Sequence, residues 1–71
     1  MAINTRKLVT LGKRIRDLRK EQKLTQEQLA TEIRVTSAYV GFIEQGKRNP
    51  SLNTLDTIAR ALGVKMSDLL K

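Results

Sequence analysis

The sequence predicts an all-α fold, a compact bundle of five short helices, and three observations lead to that prediction. Apolar residues recur three and four positions apart in every segment, and no segment shows the sustained alternation of a half-buried strand. Serine or threonine stands directly before several segments, where a hydroxyl can cap the first turn of a helix. The connections between segments are short, as in small bundles of neighbouring helices.

The length and composition exclude several classes of protein. The 71 residues suffice for one domain, and a chain this short buries about 60% of the surface that it exposes when unfolded. The absence of cysteine and histidine excludes disulfides, zinc fingers, histidine base catalysis and cysteine nucleophiles. The carboxylates of Glu27, Glu32, Asp56 and Asp68 are scattered, so we expect neither an enzyme nor a cofactor or metal.

Positive charge is concentrated at the start of the chain. The formal net charge is +7, and residues 1–23 hold eight of the 14 basic side chains but two of the 7 acidic ones. This field attracts polyanions such as DNA, RNA or an anionic membrane, although many solvated helix faces are equally basic. Since no apolar run is long enough to span a membrane and residues 1–4 lack a signal-peptide core, we expect a cytoplasmic protein without a membrane partner.

The first helix is predicted from about Thr5 to Gln22. Its apolar stripe consists of residues three and four apart, namely Leu8, Leu11, Ile15 and Leu18. Gly12 lies inside this helix, although glycine costs about 1 kcal/mol relative to alanine there.

The second helix is predicted from about Gln26 to Ile33. Thr25 is its expected N-cap, and Gln28 stands three residues later, which completes a capping box. Leu24 and Leu29 occupy the two positions of a hydrophobic staple, which fixes the angle at which the chain enters the helix.

The third helix repeats these devices from about Ser37 to Gln45. Thr36 is the expected N-cap, and Val35 with Val40 forms a second hydrophobic staple. Gly46 follows the helix, where a left-handed residue can end it.

The fourth and fifth helices complete the chain. Ser51 is the expected cap of the fourth, which ends at Gly63 and is predicted to bury Leu52, Leu55, Ile58, Ala59 and Leu62. Residues 64–70 hold a short fifth helix whose cap the sequence does not define.

The second and third helices have the spacing of a helix-turn-helix, whose second helix enters the major groove of DNA. With Gln26 as the first position, a small residue is needed at the fifth, and Ala30 stands there. Apolar residues are needed at the fourth, eighth, tenth, fifteenth and eighteenth positions, which hold Leu29, Ile33, Val35, Val40 and Ile43. The alternative is an ordinary helical hairpin, which does not require these six matches.

Several runs of the sequence carry a family resemblance. They are Arg16-x-Leu18-Arg19, Leu24-Thr25-Gln26-Glu27-Gln28-Leu29-Ala30, Tyr39-Val40-x-x-Ile43-Glu44-x-Gly46-Lys47-Arg48-x-Pro50-Ser51-Leu52 and Ile58-Ala59-x-Ala61-Leu62-Gly63-Val64. Over about residues 11–70 the chain resembles the Cro/C1-type (Xre) helix-turn-helix family, which includes phage repressors and restriction–modification controller proteins. The resemblance implies a lambda-repressor-like five-helix fold and a homodimer that binds a palindromic operator in double-stranded DNA.

The resemblance also implies roles for individual residues. Positions that contact DNA phosphates in this family hold Gln26, Tyr39, Lys47, Arg48 and Asn49. A free helix N-terminus favours an anion near Gln26. The structural alternatives are that Gln26 is only an exposed capping residue and that residues 47–49 form only a solvated loop. The positions that read bases hold Ser37, Ala38, Gly41 and Phe42. None of these four offers a bidentate contact to a base. The alternative for Phe42 is packing against the first or the fourth helix.

Three further expectations concern the ion pair, the turn and the assembly of the domain. Arg19 and Glu44 are expected to pair across the fold. Arg34 stands where the family often has glycine, and we predict a positive φ there. The apolar residues of the fifth helix are the candidate dimer interface, with core closure as the alternative: Val64, Met66, Leu69 and Leu70.

The leading functional hypothesis is a sequence-specific transcriptional regulator, a repressor or controller protein whose third helix reads DNA. An antitoxin-like or protein-interaction module is the second hypothesis, and non-specific packaging of nucleic acid is the third. The first requires a specific operator, the second a protein partner and the third neither. No small-molecule ligand is expected, and DNA binding implies association with the nucleoid.

Overall fold

The computed structural model describes residues 5–70, which fold into five helices. Their bounds are α1 (Thr5–Glu21), α2 (Gln26–Ile33), α3 (Ser37–Glu44), α4 (Leu52–Leu62) and α5 (Met66–Leu69). The all-α prediction is confirmed, and α2 has the predicted bounds. The fifth helix is a single turn, shorter than the predicted segment, and none of the described helices is long and apolar enough to cross a membrane.

Local hydrogen bonds confirm the predicted helix starts. The Thr25 hydroxyl accepts from the Gln28 N–H at 3.0 Å, and the Gln28 side chain accepts from the Thr25 N–H at 2.8 Å. The hydroxyls of Thr36 and Ser51 accept in the same way at the starts of α3 and α4. In α5, whose cap the sequence left undefined, the Lys65 N–H donates to Asp68 Oδ2 at 3.0 Å.

The core lies between the five helices, and α3 and α4 each pack against two others. Helix α3 packs against α1 and α2, α4 packs against α2 and α5, and α5 packs back on α1. The buried apolar side chains are Leu11, Ile15, Leu29, Ala30, Ile33, Val40, Ile43, Leu55, Ile58, Ala59, Leu62 and Leu69. The prediction that Leu52 is buried was wrong: it is 69% exposed, because it is the first residue of α4 and lies outside the buried cluster, which begins on this helix at Leu55.

The backbones of α1 and α3 approach each other most closely at Gly12. A Cβ atom built on Gly12 would lie 2.6 Å from the Glu44 carbonyl oxygen and also against the carbonyl oxygen of Ile43. Real Cβ atoms do not come this close to backbone atoms, so this crossing requires glycine. Close packing against α3 therefore explains why Gly12, which is unfavourable inside a helix, stands in α1.

Four helix ends among residues 5–70 use the same left-handed device. The positive-φ residues are Lys23, Arg34, Gly46 and Gly63. In each case the next residue donates its N–H to a carbonyl five residues earlier, as Val35 does to Ala30 at 2.9 Å. Two of these residues are glycines and two are cationic.

The predicted geometry of Arg34 is confirmed. Its φ of 62° and ψ of 45° lie in the left-handed region, and its side chain is exposed. This conformation ends α2 and delivers Val35 to the edge of the core within a three-residue turn.

Substitutions of Arg34 test the strain at this turn. Arg34→Gly is expected to change the free energy of unfolding by less than about 1 kcal/mol, because relief of strain is partly offset by the freedom of glycine in the unfolded chain. Arg34→Val is expected to destabilise clearly more, since a β-branched side chain tolerates positive φ worst. Urea unfolding of both variants measures the difference, and equal stabilities would contradict the strained turn.

Candidate nucleic-acid interface

The exposed side of α3 begins at its capped N-terminus. Ser37 and Ala38 are exposed in the first turn, and Phe42 follows one turn later with 44% of its surface exposed. Phe42 does not belong to the buried core cluster. This side of α3 therefore presents one hydroxyl, one methyl group and one aromatic ring.

Gly41 is not part of this exposed side, which corrects its assignment among the exposed base-reading positions. It is buried beneath Gln26, whose amide oxygen would lie 3.6 Å from a Cβ atom at Gly41. Its helical spacing suggested an exposed position, but the side chain of Gln26 at the start of α2 lies over Gly41. Gly41 makes room for Gln26 and exposes no side chain of its own.

A buried ion pair joins α1 to α3. The Nε of Arg19 lies 2.7 Å from Oε2 of Glu44, and Nη2 of Arg19 lies 3.1 Å from Oε1. Both residues are buried, and Arg19 also donates from Nη1 to the Leu24 carbonyl at 2.6 Å. The guanidinium thus links α1, the segment before α2 and the last turn of α3.

Gln26 is held by the same ion pair. Its Nε2 donates to Oε1 of Glu44 at 3.0 Å, so the amide is oriented by a side chain of α3. The first N–H groups of a helix lack intrahelical partners, and Thr25 accepts the one from Gln28. Those of Gln26 and Glu27 stand at the positive end of the helix dipole, which favours an anion.

The loop after α3 carries the other predicted phosphate contacts. Lys47, Arg48 and Asn49 are all exposed, and the Lys47 N–H donates to the Phe42 carbonyl at 2.9 Å. The Arg48 guanidinium stands 6.0 Å from the centre of the half-buried Tyr39 ring, within reach of a cation–π contact. The loop is therefore tied to α3 at two points.

A polar depression adjoins this surface, and two of its residues from α1, Arg16 and Lys20, were not predicted as site residues. Its volume is about 270 Å³, and we call it the cationic depression. Its lining residues are Arg16, Arg19, Lys20, Gln26, Glu44 and Gln45. In the sequence, Arg19 and Lys20 stand three and four positions after Arg16 on one helix, and this spacing could have predicted that the three cations share one face of α1.

The residues predicted for a dimer interface differ in their exposure. Val64 and Met66 are half-buried, and Leu70 is 55% exposed. Leu69 is only 1% exposed, so its assignment to a dimer interface was wrong. Arg14 Nε donates to the Asp68 carbonyl at 2.6 Å, which holds α5 against α1. The neighbouring Leu69 packs into the core.

These features define a helix-turn-helix domain: α2 and α3 are joined by a left-handed three-residue turn, and α3 is exposed beside cationic side chains. The chain belongs to the helix-turn-helix family HTH_3, whose profile matches residues 15–69. The predicted family membership is confirmed.

Relatives of known name agree with this assignment. The immunity repressor protein of Bacillus phage phi105 is 45% identical over 62 residues, which cover 87% of this chain and 43% of the relative. The control protein C.BamHI of Bacillus amyloliquefaciens is 40% identical over 60 residues, which cover 83% and 74%. The chain thus spans less than half of the phage protein and most of the controller protein.

Among solved structures, the restriction–modification controller protein C.AhdI from Aeromonas hydrophila has the same fold. Its TM-score with this chain is 0.85 at 40% sequence identity. The superposition covers 87% of this chain and 94% of that protein.

Proposed function

We propose that this protein regulates transcription by binding a specific site in double-stranded DNA, with α3 in the major groove. The observation that carries the proposal is the exposed start of α3, with Ser37, Ala38 and Phe42 free of the core. Polar groups fixed by hydrogen bonds lie beside α3: Gln26 bonds to Glu44 at the end of the helix, and the loop 47–49 follows that end and is tied to the Phe42 carbonyl. The named relatives, a phage repressor and controller proteins, support the same role.

Base reading through α3 would be mainly apolar. Ala38 and Phe42 offer carbon atoms, which suit the methyl group of thymine in the major groove. Ser37 adds one hydrogen bond that discriminates weakly between bases. We therefore expect thymine at the positions that α3 contacts in each half-site.

Phosphate contacts would set the position of the domain without reading sequence. Gln26, Tyr39 and the loop 47–49 are the proposed contacts, and they lie on or beside α3. Gln26 is already oriented by Glu44, and Arg48 by the Tyr39 ring. On this proposal the protein acts in the cytoplasm, on the nucleoid.

A two-fold dimer is the proposed binding form. Val64, Met66 and Leu70 supply apolar surface at the end of the chain, and Leu52 exposes another large side chain at the start of α4. Selection of bound sites from random DNA is expected to return palindromes with half-sites about 10 bp apart or a multiple of that. A single asymmetric half-site, together with a monomer in sedimentation at micromolar concentration, would contradict the dimer.

The exposed ring of Phe42 favours one alternative, a protein partner in place of DNA. An exposed aromatic side chain on a helix is a frequent anchor of protein–protein contacts. A shift assay with the purified protein alone separates the two functions. Binding of the selected site without any partner supports regulation through DNA.

Removal of the Arg48 charge tests the proposed phosphate contact. Arg48→Ala is expected to weaken binding to all duplexes alike and to lower the slope of log K against log salt by about 0.9. Arg60→Ala is the matched control, because Arg60 is an exposed arginine of α4 paired with Asp56. A changed base preference with an unchanged slope would show that Arg48 reads bases.

A further inference from the structure

The cationic depression lies where the side chains of three helices meet. Arg16, Arg19 and Lys20 come from α1, Gln26 opens α2, and Glu44 with Gln45 ends α3. Three positive charges and one negative charge line it, which leaves an excess of two positive charges.

The single carboxylate of the depression is already fully engaged. Both oxygens of Glu44 accept from Arg19, and Oε1 also accepts from Gln26. Its charge is therefore directed at the buried guanidinium and is not available to the two outer cations. The excess of positive charge belongs to Arg16 and Lys20.

Arg16 and Lys20 are exposed side chains without a fixed anionic partner. The two salt bridges between side chains of residues 5–70 are Arg19–Glu44 and Arg60–Asp56, and neither includes them. They lie four positions apart on α1, so their side chains stand on the same face of the helix. Two like charges so placed repel each other, and an anion between them removes that cost.

We infer that the cationic depression binds one phosphate group of the DNA backbone, with Arg16 and Lys20 as its ligands. The inference rests on the proposed function and extends the contact surface to α1, outside the helix-turn-helix. The planar guanidinium of Arg16 suits two phosphate oxygens, and the ammonium of Lys20 acts as a point charge. Gln26, the first residue of α2, lines the same depression.

The test compares two double variants that lose the same charge. Arg16→Gln with Lys20→Gln removes the proposed ligands. Lys7→Gln with Arg60→Gln is the control, since Lys7 lies about 20 Å along α1 from Lys20 and Arg60 belongs to α4. All four side chains are exposed, so both variants are expected to fold, and thermal melting verifies this.

Binding to the selected site and to a random duplex is measured between about 50 and 200 mM salt. The depression variant is expected to lower the salt slope by about 0.9 on both duplexes, as for one lost phosphate contact, and to weaken binding about tenfold or more. The ratio of specific to random affinity stays unchanged, because phosphate contacts do not read sequence. The control variant is expected to change the slope by less than half as much.

Equal losses in the two variants would overturn the inference, since they would report only the general field of the protein. An unchanged slope in the depression variant would overturn it as well. Saturable binding of inorganic pyrophosphate, lost in the depression variant while duplex affinity stays intact, would reassign the site to a small anion. If the wild type prefers no sequence, the proposed function fails, but the slopes on random duplex still decide the role of the depression.

Discussion

Gly12→Ala is expected to destabilise the folded protein by about 3 kcal/mol, because its new methyl group would overlap the backbone of α3. The added Cβ would lie 2.6 Å from the Glu44 carbonyl oxygen and 2.8 Å from the carbonyl carbon. These are backbone atoms of a packed helix, so α1 and α3 have to move apart. The higher helix propensity of alanine offsets about 1 kcal/mol of a larger steric cost.

Gly41→Ala is the matched control for this prediction. Gly41 is also a buried glycine inside a helix, but a Cβ there would meet only the Gln26 amide at ordinary distances of 3.6 to 3.9 Å. We expect this variant to keep the stability of the wild type or to gain up to about 1 kcal/mol. Urea unfolding measures both variants. Equal destabilisation would show that α1 and α3 are not in close backbone contact.

Glu44→Ala is expected to cost about 3–5 kcal/mol, because it leaves the buried guanidinium of Arg19 without its anionic partner. A domain of this size has a total stability of roughly 4–10 kcal/mol, at about 0.05–0.15 kcal/mol per residue, so the loss removes from about a third to all of it. Asp56→Ala removes the carboxylate from the exposed pair with Arg60 and is expected to cost less than about 1 kcal/mol. Chemical unfolding of the two variants compares the buried pair with the exposed one.

A double variant separates stability from function in the same pair. Replacement of both partners by apolar residues, Arg19→Met with Glu44→Leu, is expected to recover most of the lost stability, as for other buried pairs. Gln26 would still lose its acceptor on α3, so we expect weaker binding to every duplex at unchanged base preference. Wild-type DNA affinity in this variant would show that the ion pair does not position Gln26.

The helix starts and the turn of the helix-turn-helix could be predicted because their causes are local. The hydroxyl of Thr25, Thr36 or Ser51 accepts from the N–H three residues later, so each cap involves only residues of one helical turn. The positive φ of Arg34 follows from a three-residue connection that must reverse direction. The left-handed Lys23 escaped prediction, since no glycine marks the end of α1.

The errors concern residues whose environment depends on distant parts of the chain. Leu52 fits the apolar period of α4, but the buried part of that stripe begins only at Leu55. Leu69 belongs to a core whose other members come from distant parts of the chain, and Arg14 donates to the carbonyl of Asp68, 54 positions later. Gly12 and Gly41 look alike in the sequence, yet one permits a backbone crossing and the other accommodates a side chain. Helical period gives the face of a helix but not which part of that face is covered.

The central claim, that this surface recognises a particular DNA sequence, is tested most directly by one ratio. The affinity of purified wild-type protein for the selected site is divided by its affinity for random duplex, both at about 150 mM salt. We predict a ratio of about 10³ or more, as is typical of specific DNA-binding proteins. A ratio near one would contradict the claim and would identify the +7 chain as a non-specific binder of nucleic acid.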